Sequence, residues 1–208
     1  MMEKEPKVAA AVPAAPCPQT KAELRAQMRV VLRGISAEGR QQDSIRARER
    51  LAQQAVWRNS SAILFYVPRL DEVDLFPLLE EALAAGKDVA FPRYVPERGV
   101  YAACRIERFQ HDCVPGHFGI VEPSDGCPIF PLNRLDFVLV PGLAFDLTGR
   151  RLGRGKGYYD RILAEVTGTR CGVAFDEQLI ERIPAEPHDM SVNCILTPSN
   201  WREIRVEQ

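Results

Sequence analysis

The stretch Phe137-Val-Leu-Val-Pro-Gly-Leu-Ala-Phe-Asp-Leu-Thr-Gly-Arg-Arg-Leu-Gly-Arg-Gly-Lys-Gly-Tyr-Tyr-Asp160 predicts a buried strand, a glycine-rich loop and a helix in direct succession. Its first four residues are all apolar, which is typical of a strand covered on both faces. Glycines let a loop turn tightly and bring its backbone N–H groups to a bound oxyanion, and a following helix adds the positive end of its dipole. The chain has a net charge of only −1, yet residues 150–156 hold four cations, which are Arg150, Arg151, Arg154 and Lys156. The stretch therefore predicts a polyphosphate-binding loop.

Two common phosphate-binding motifs do not fit this loop. A Walker A motif requires Ser or Thr after its Gly-Lys, whereas Gly155-Lys156 is followed by Gly157, and Arg150 stands where that motif has its first glycine. The dinucleotide fingerprint Gly-x-Gly-x-x-Gly needs one more residue before its last glycine than this loop provides. The loop is either a different anion site or a solvated Gly/Arg loop. Its position between a buried strand and an amphipathic helix favours the anion site.

Strand and helix patterns alternate on both sides of this stretch. A capping box at Thr20-x-x-Glu23 starts a helix that ends at Gly34, and Ser36 starts a second helix that ends before Asn59. Further helices are predicted from an Asp74 cap through Leu83, at 158–166 and at 177–182, and apolar strands at 62–67, 89–92, 101–106, 137–140, 171–174 and 194–197. Apolar strands joined by helices need cover on both faces. The predicted fold class is thus α/β, a three-layer α/β/α domain with a mostly parallel central sheet.

Two polar segments are expected to meet at one cleft. Ligands of such folds bind beyond the carboxyl ends of the strands. The glycine-rich loop follows the strand at 137–140, and the acidic segment 68–74 follows the strand at 62–67. Both segments can therefore line the same site, whereas residues 107–134, rich in turn formers, are predicted to form loops.

Composition and charge restrict the class of protein. The chain has 208 residues, of which 46% are hydrophobic and 26% charged, which fits one globular domain and argues against a general nucleic-acid or membrane-surface binder. The six cysteines include no Cys-x-x-Cys pair, so a zinc site or a disulfide framework is not indicated. Residues 1–18 are rich in Ala and Pro and contain acidic residues, which predicts a disordered tail instead of a signal or transit peptide. We therefore expect a cytoplasmic protein with one domain at 19–208.

Several motifs resemble those of the 5-formyltetrahydrofolate cyclo-ligase family, also called methenyltetrahydrofolate synthetases. The resemblance rests first on Phe145-Asp146, Gly149 and the highly specific motif Arg151-Leu-Gly-Arg-Gly-Lys-Gly-Tyr-Tyr-Asp160. It extends over nearly the whole chain after residue 19 through weaker motifs in the right order, which are Lys21-Ala-Glu-Leu-Arg25, Leu70-Asp-Glu-Val-Asp74, Phe91-Pro-Arg-Tyr94 and His188-Asp189-Met190. The sequence departs from the family pattern at Asn193, where an acidic residue is expected.

The resemblance implies an ATP-dependent enzyme that converts 5-formyltetrahydrofolate to 5,10-methenyltetrahydrofolate and releases ADP and phosphate. ATP would phosphorylate the formyl oxygen, N10 would close the ring, and phosphate would leave. Such a step needs positioning and charge neutralisation more than covalent help from the protein. The implied cofactor is Mg²⁺, with ATP as co-substrate. The expected partners are these two substrates, with no nucleic acid and no membrane, and the expected assembly is a monomer or a weak homo-oligomer.

The resemblance also implies roles for individual residues. Arg154 and Lys156 would be catalytic and would neutralise the transferred phosphoryl group, while Asp160 and Asp189 would bind the metal. The Glu72 carboxylate would accept hydrogen bonds from the pterin edge of the folate. The full set expected to contact the folate is Tyr66, Glu72, Phe118, Arg154 and Tyr158. The set expected to contact ATP is Lys21, Arg25, Arg151, Leu152, Gly153, Arg154, Gly155, Lys156, Gly157, Tyr158 and Tyr159.

Structural roles stay open for several of these residues. Lys21 and Arg25, one helical turn apart, could form a solvated helix face. Asp160 could serve as a favourable acid in the first turn of a helix, and Asp189 as a solvated turn residue. Two other functions also stay open. One is a non-catalytic nucleotide-binding relative of the same fold, and the other is a sugar-phosphate isomerase or acyl-transfer enzyme that does not require ATP.

Overall fold

The computed structural model describes residues 20–204, except for the side chain of Phe118. The tail predicted at residues 1–18 lies outside the described residues. The helices are α1 (Lys21–Gly34), α2 (Ala37–Ala52), α3 (Ala55–Asn59), α4 (Pro77–Ala84), α5 (Phe109–Asp112) and α6 (Tyr158–Glu165). The strands are β1 (Ala62–Leu64), β2 (Asp88–Val95), β3 (Val100–Ile106), β4 (Cys113–Pro115), β5 (Val121–Pro123), β6 (Phe137–Pro141), β7 (Ala144–Asp146), β8 (Arg151–Leu152), β9 (Thr169–Val173), β10 (Leu179–Ile180), β11 (Cys194–Leu196) and β12 (Trp201–Glu203).

A seven-stranded sheet in the order β12-β11-β9-β6-β1-β2-β3 forms the centre of the molecule. The strands β11, β9, β6, β1 and β2 run parallel, and an antiparallel strand closes each edge. Side chains alternate between the two faces, so that Ile63 packs in a core cluster with α1 to α4 while its neighbour Leu64 packs with α6 on the other face. The predicted α/β/α class with a mostly parallel sheet is confirmed.

Helix α1 begins at the predicted capping box. The Thr20 hydroxyl accepts the Glu23 N–H at 3.2 Å, and the Glu23 carboxylate accepts the Thr20 N–H at 2.7 Å. Leu24, Met28 and Leu32 recur every four residues and are buried against the sheet. This packing fixes the first turn of α1, which carries Lys21 and Arg25, beside the carboxyl ends of the strands.

The first half of the glycine-rich stretch forms a small second sheet, which was not predicted. β7 pairs antiparallel with β8 and parallel with β10. Gly149 turns this hairpin at φ +85°, where a Cβ would lie 2.6 Å from the Val192 carbonyl oxygen. The buried Asp146 carboxylate accepts N–H groups of Thr148, Arg150 and Ile183, which ties the hairpin to the C-terminal segment. Only residues 153–157 remain as an open loop.

Three predicted elements were wrong in detail. Helix α4 begins at Pro77, and Asp74 does not cap it; the Asp74 carboxylate instead accepts the Phe76 N–H at 2.8 Å, just before the proline that starts the helix. The helix predicted at 177–182 is a 3₁₀ turn, Asp176–Gln178, followed by β10, because the Gln178 side chain is buried and bonds to the Phe175 N–H and the Gly142 carbonyl. The second predicted helix is divided into α2 and α3.

Candidate functional site

A cavity of about 360 Å³ opens at the carboxyl ends of β1 and β6, as expected for this fold. It is lined by all of residues 151–160 and by residues from distant parts of the chain, which are Lys21, Arg25, Tyr66, Glu72 and Asp189. Every predicted site residue whose side chain is described therefore lies at one cleft. The side chain of Phe118 is outside the described part of the chain. Neighbouring residues Ile120 and Val121 line the cavity.

The loop 153–157 has the backbone of an anion site. Gly155 lies at φ +106° and Gly157 at φ +64°, conformations that L side chains rarely adopt. Gly157 is the N-cap of α6, so the amino end of this helix faces the same cavity as the loop. The Arg25 guanidinium donates to the Gly153 carbonyl at 3.0 Å. The first turn of α1 thus holds the loop in place.

Arg154 forms an ion pair with two adjacent carboxylates. Its Nη2 lies 2.8 Å from Asp71 Oδ1 and 2.9 Å from Glu72 Oε1, and its Nε lies 3.3 Å from the same Glu72 oxygen. Burial lowers the pKa of Arg154, but the bonds to Asp71 and Glu72 outweigh that effect, so the pKa is raised. The residue predicted to neutralise phosphate is thus bound to the residue predicted to recognise the pterin.

Most hydrogen-bond acceptor positions of the Glu72 carboxylate are occupied in this structure. Its Oε1 accepts two N–H groups of Arg154, and its Oε2 accepts the Arg69 N–H at 3.1 Å. Of the roughly four acceptor positions of a carboxylate, about one is left for a ligand. The side chain is only 8% exposed. Burial raises the pKa of Glu72 above the ordinary glutamate value, and this effect exceeds the lowering by Arg154.

Lys21 lies between two carboxylates of the C-terminal segment. Its Nζ is 2.6 Å from Asp189 Oδ2 and 3.0 Å from Glu186 Oε2. Burial lowers the pKa of Lys21, but the hydrogen bonds to Asp189 and Glu186 dominate and raise it. For Asp189 burial acts to raise the pKa, but the hydrogen bonds from Lys21 and from the Glu186 N–H, together with the positive charge of Lys21, more than offset it, so the pKa is lowered. Both partners are therefore charged at neutral pH.

Arg151 is buried beneath the loop. Its Nη2 donates to Asp160 Oδ1 at 3.0 Å and its Nη1 to the Pro141 carbonyl at 3.4 Å, while the guanidinium lies 5.5 Å from the centre of the Tyr159 ring. Only 6% of the Arg151 side chain is exposed. Its Nε is buried without a hydrogen-bond partner among residues 20–204. This arrangement links β8 to the first turn of α6.

The aromatic residues of the site have two environments. Tyr66 is buried and Tyr159 is half-buried; removal from water raises the pKa of both hydroxyls, and the Tyr66 hydroxyl donates to the Val73 carbonyl. Tyr158 instead belongs to an open cluster, with ring centres 4.9 Å from Tyr101 and 5.7 Å from Tyr94. Lys156 Nζ lies 5.8 Å from the Tyr158 ring centre. Tyr158 therefore joins the loop to the β2–β3 hairpin.

Sequence reasoning missed three acids at this cleft. Glu122 lines the cavity and is buried, with its carboxylate accepting the Tyr94 N–H at 3.1 Å and the Tyr101 hydroxyl at 3.4 Å. Asp71 and Glu186 pair with Arg154 and Lys21. A signal existed for Asp71, which stands beside Glu72 in the acidic motif, and for Glu122, a lone acid between Val121 and Pro123. Glu186 had no distinguishing pattern.

Carboxylates that could hold a metal ion are present at this cleft. Asp160 and Asp189 both line the cavity, and one oxygen or nitrogen each from Glu186, His188 and Asp189 lies within 4.8 Å of the others. Oxygen ligands of this kind suit Mg²⁺. Asp160 is paired with Arg151 and Asp189 with Lys21, so a metal ion would share these carboxylates with the cations or displace them.

Searched over residues 20–204, the structure contains no helix of the length and apolar character needed to cross a membrane.

Comparisons with known proteins give a consistent result. The family model described as the 5-formyltetrahydrofolate cyclo-ligase family matches residues 18–198. The chain is 31% identical to the 5-formyltetrahydrofolate cyclo-ligase of Mus musculus over 184 residues, which are 83% of this chain and 91% of that protein. It is 36% identical to the Escherichia coli (strain K12) protein of the same name over 132 residues, 62% of this chain and 72% of that protein.

Solved structures with the same fold carry a related name. The NMR structure of Aquifex aeolicus 5,10-methenyltetrahydrofolate synthetase superposes with a TM-score of 0.81 at 35% identity, covering 90% of this chain and 94% of that one. A 5,10-methenyltetrahydrofolate synthetase from Mycoplasma pneumoniae superposes with a TM-score of 0.70 at 22% identity, covering 86% and 99%. The second likeness supports the fold alone.

Proposed function

The chain belongs to the 5-formyltetrahydrofolate cyclo-ligase family, and from this premise we propose that the cleft holds ATP and 5-formyltetrahydrofolate together for one phosphoryl transfer and one ring closure. The enzyme converts 5-formyltetrahydrofolate to 5,10-methenyltetrahydrofolate with release of ADP and phosphate. The observation that carries the residue assignments is the single cavity lined by residues 151–160, Lys21, Arg25, Glu72 and Asp189.

We assign the phosphates of ATP to the loop 153–157 and the first turn of α1. Backbone N–H groups near Gly155 and Gly157, together with the amino end of α6, provide fixed donors for phosphate oxygens. Lys156 adds a cation at the same loop, and Arg25 keeps the loop in place through its bond to Gly153. These donors are arranged before ATP binds, so little reorganisation is needed during the reaction.

We assign the folate to the side of the cavity formed by Tyr66, Glu72 and Tyr158, with Phe118 as a further candidate from sequence. Glu72 would accept hydrogen bonds from the pterin edge through the acceptor position left on its carboxylate, or by giving up one of its bonds to Arg154. Tyr158 offers an aromatic face beside the loop. The two substrates then meet at Arg154.

The reaction needs no covalent intermediate on the protein. The formyl oxygen attacks the γ-phosphorus of ATP and ADP leaves; N10 then attacks the activated formyl carbon, loses its proton to water or to the departing phosphate, and phosphate leaves. Charge builds on the transferring phosphoryl oxygens, and Arg154 and Lys156 would neutralise it. The protein contributes mainly the alignment of the two substrates and the exclusion of water from a partly buried cleft.

We propose that Asp160 and Asp189 hold Mg²⁺ with the phosphates of ATP. The two carboxylates would supply oxygen ligands to the ion, and its positive charge would offset the negative charge of the phosphates. In this structure Asp189 is paired with Lys21 and Asp160 with Arg151. In the proposed complex, the phosphates would pair with these two cations and the metal ion with the two carboxylates.

One assay tests the proposed function against its alternatives. The purified chain should form 5,10-methenyltetrahydrofolate from 5-formyltetrahydrofolate, followed by its near-ultraviolet absorbance, only when ATP and Mg²⁺ are both present. Product in the absence of ATP would contradict the phosphoryl-transfer mechanism. Binding of nucleotide without any turnover would instead favour the non-catalytic relative.

A further inference from the structure

Asp71 has no role in the proposed chemistry, yet it makes the shortest contact to Arg154. Its Oδ1 lies 2.8 Å from Arg154 Nη2, and the two side chains are similarly exposed, at 30% and 31%. Asp71 does not line the cavity, whereas its neighbour Glu72 and its partner Arg154 do. We propose that Asp71 is a positioning residue that orients the Arg154 guanidinium toward the transferred phosphoryl group. This inference rests on the proposed function.

The segment that carries Asp71 is a fixed turn. The Glu72 N–H donates to the Arg69 carbonyl at 3.0 Å, which closes a four-residue turn with Leu70 and Asp71 at its centre. From α2, Arg40 donates to the Leu70 carbonyl and to the Leu32 carbonyl, each at 2.9 Å. These bonds tie the turn to the end of α1. The Asp71 carboxylate is therefore held on a rigid support.

The contacts to Arg154 use only one edge of its guanidinium. Nε and Nη2 face Asp71 and Glu72, and within residues 20–204 the third nitrogen, Nη1, forms no hydrogen bond or ion pair. A guanidinium is planar and rigid, so fixing one edge fixes the direction of the remaining N–H groups. The two N–H groups of Nη1 are thus available to a substrate oxygen.

Asp71 and Glu72 differ in whether a substrate can compete for them. Glu72 lines the cavity and is assigned to the pterin, so folate binding draws on the same carboxylate that holds Arg154. Asp71 lies outside the cavity lining, so a ligand in the cleft can bind without displacing the bond from Asp71 to Nη2. Asp71 then supplies the contact that keeps Arg154 aligned during the chemical step.

The test compares two matched aspartates. Asp71→Asn keeps the shape of the side chain and removes its charge. Asp88→Asn is the control, because Asp88 also pairs with an arginine, Arg105, at 3.0 Å and is 37% exposed, but it lies at the amino end of β2, away from the cleft. We expect Asp71→Asn to lower kcat about tenfold with the KM of both substrates within about twofold of the parent, since an alignment needed only in the transition state affects kcat.

Further variants separate this inference from the proposed function. Asp71→Glu should recover part of the lost kcat, and the Tm of Asp71→Asn should match that of Asp88→Asn. A Tm loss in step with the kcat loss, or a kcat within twofold of the parent, would overturn the positioning role. Arg154→Ala serves as the reference. If it retains parental turnover, the assignment of Arg154 in the proposed function fails; if it loses turnover while Asp71→Asn does not, only the present inference fails.

Discussion

Three cations assigned to ATP, namely Lys21, Arg151 and Arg154, are each bound to a carboxylate of the same cleft. Charges in a partly buried site are costly when unpaired, and here the carboxylates of the cleft compensate them. Lys156 lines the same cavity from the loop 153–157, and its long side chain can reach a phosphate oxygen. A charged ligand that binds such a site therefore replaces existing ion pairs with its own, because the cations there already have partners.

Replacing Lys156 by Met tests the phosphoryl-transfer assignment. Lys156→Met keeps most of the apolar stem and removes the ammonium group, so packing changes little. We expect kcat to fall by about a hundred- to a thousandfold, the usual effect of removing one preorganised donor from a developing anion. Turnover, folate affinity and Tm should be measured on the same preparation, with Lys156→Arg as the charge-retaining control. Near-parental turnover of Lys156→Met would remove the loop from the phosphoryl-transfer site.

Glu72→Gln should weaken folate binding without lowering stability. Burial raises the pKa of Glu72 in the folded state, so its contribution to stability is present below the unfolded pKa and is lost as pH rises through the folded pKa. At neutral pH the charged form is therefore a cost, and the neutral amide removes it. We expect a Tm at pH 7 equal to or above that of the parent, and a folate affinity lower by about tenfold or more.

Two titrations decide this prediction. Folate and ATP binding should be measured separately, and the Tm difference between Glu72→Gln and the parent should shrink as the pH is lowered toward 5. An equal loss of affinity for both ligands would move Glu72 out of the pterin pocket. A lower Tm at pH 7 would mean that its bonds to Arg154 outweigh the cost of burial.

Among the secondary-structure elements, the sequence predicts those with a regular hydrophobic pattern correctly, but not those that lack such a pattern. The cap of α1 and the strand β6 are local features, so the sequence determines them. The hairpin β7–β8 contains only four paired residues, and Asp146 ties it to Ile183, which is far away in the chain. The Gln178 contact to Gly142 likewise exists only after folding. Long-range hydrogen bonds of this kind leave no pattern in a local window.

The site residues also divide into those that a local motif identifies and those that depend on long-range contacts. Residues 151–160 could be assigned because they form one contiguous motif that adjoins a strand and a helix. Asp71, Glu122 and Glu186 were not assigned. Neighbouring residues give only a weak signal for Asp71 and Glu122 and none for Glu186, and their partners Arg154, Tyr101 and Lys21 lie far from them in sequence. The sequence also does not predict the pairing of Arg154 with Glu72, although both residues are expected to contact the folate.

Gly149 tests the role of the hairpin in stability. Gly149→Ala should destabilise the fold by about 2 kcal/mol or more, because alanine is strained at φ +85° and its Cβ would lie 2.6 Å from the Val192 carbonyl. Gly86→Ala is the matched control, with φ +75° and nothing within 4 Å of the added Cβ, and should cost only about 1 kcal/mol. Chemical denaturation of both variants measures the difference. Equal losses would show that backbone strain alone, and not the contact to Val192, determines the cost.

Ion pairs join different elements around the cleft, and two of them join parts of the chain that are distant in sequence. Lys21 of α1 binds Asp189, and Arg154 of the loop binds the turn after β1. Arg151 of β8 binds Asp160 of α6. The cleft is therefore a junction of α1, the turn 69–72, the loop and the C-terminal segment. A ligand that exchanges these pairs acts on the stability of the entire domain.

This arrangement predicts that ATP and Mg²⁺ stabilise the protein together and only weakly alone. ATP by itself would take cations from Asp160 and Asp189 and leave these acids unpaired, while Mg²⁺ by itself would leave Lys21 and Arg151 unpaired; the two together satisfy both sets. At about a hundred times the Kd, binding adds about 2.7 kcal/mol, which corresponds to a rise in Tm of roughly 5–10 °C for a domain of this size. Thermal unfolding with ATP, with Mg²⁺ and with both measures the synergy.

In Asp160→Asn and Asp189→Asn, the Mg²⁺ concentration for half-maximal rate and for half the Tm rise should increase. An additive response in the parent, or parental Mg²⁺ dependence in both variants, would show that these aspartates serve only the ion pairs and that the metal binds elsewhere.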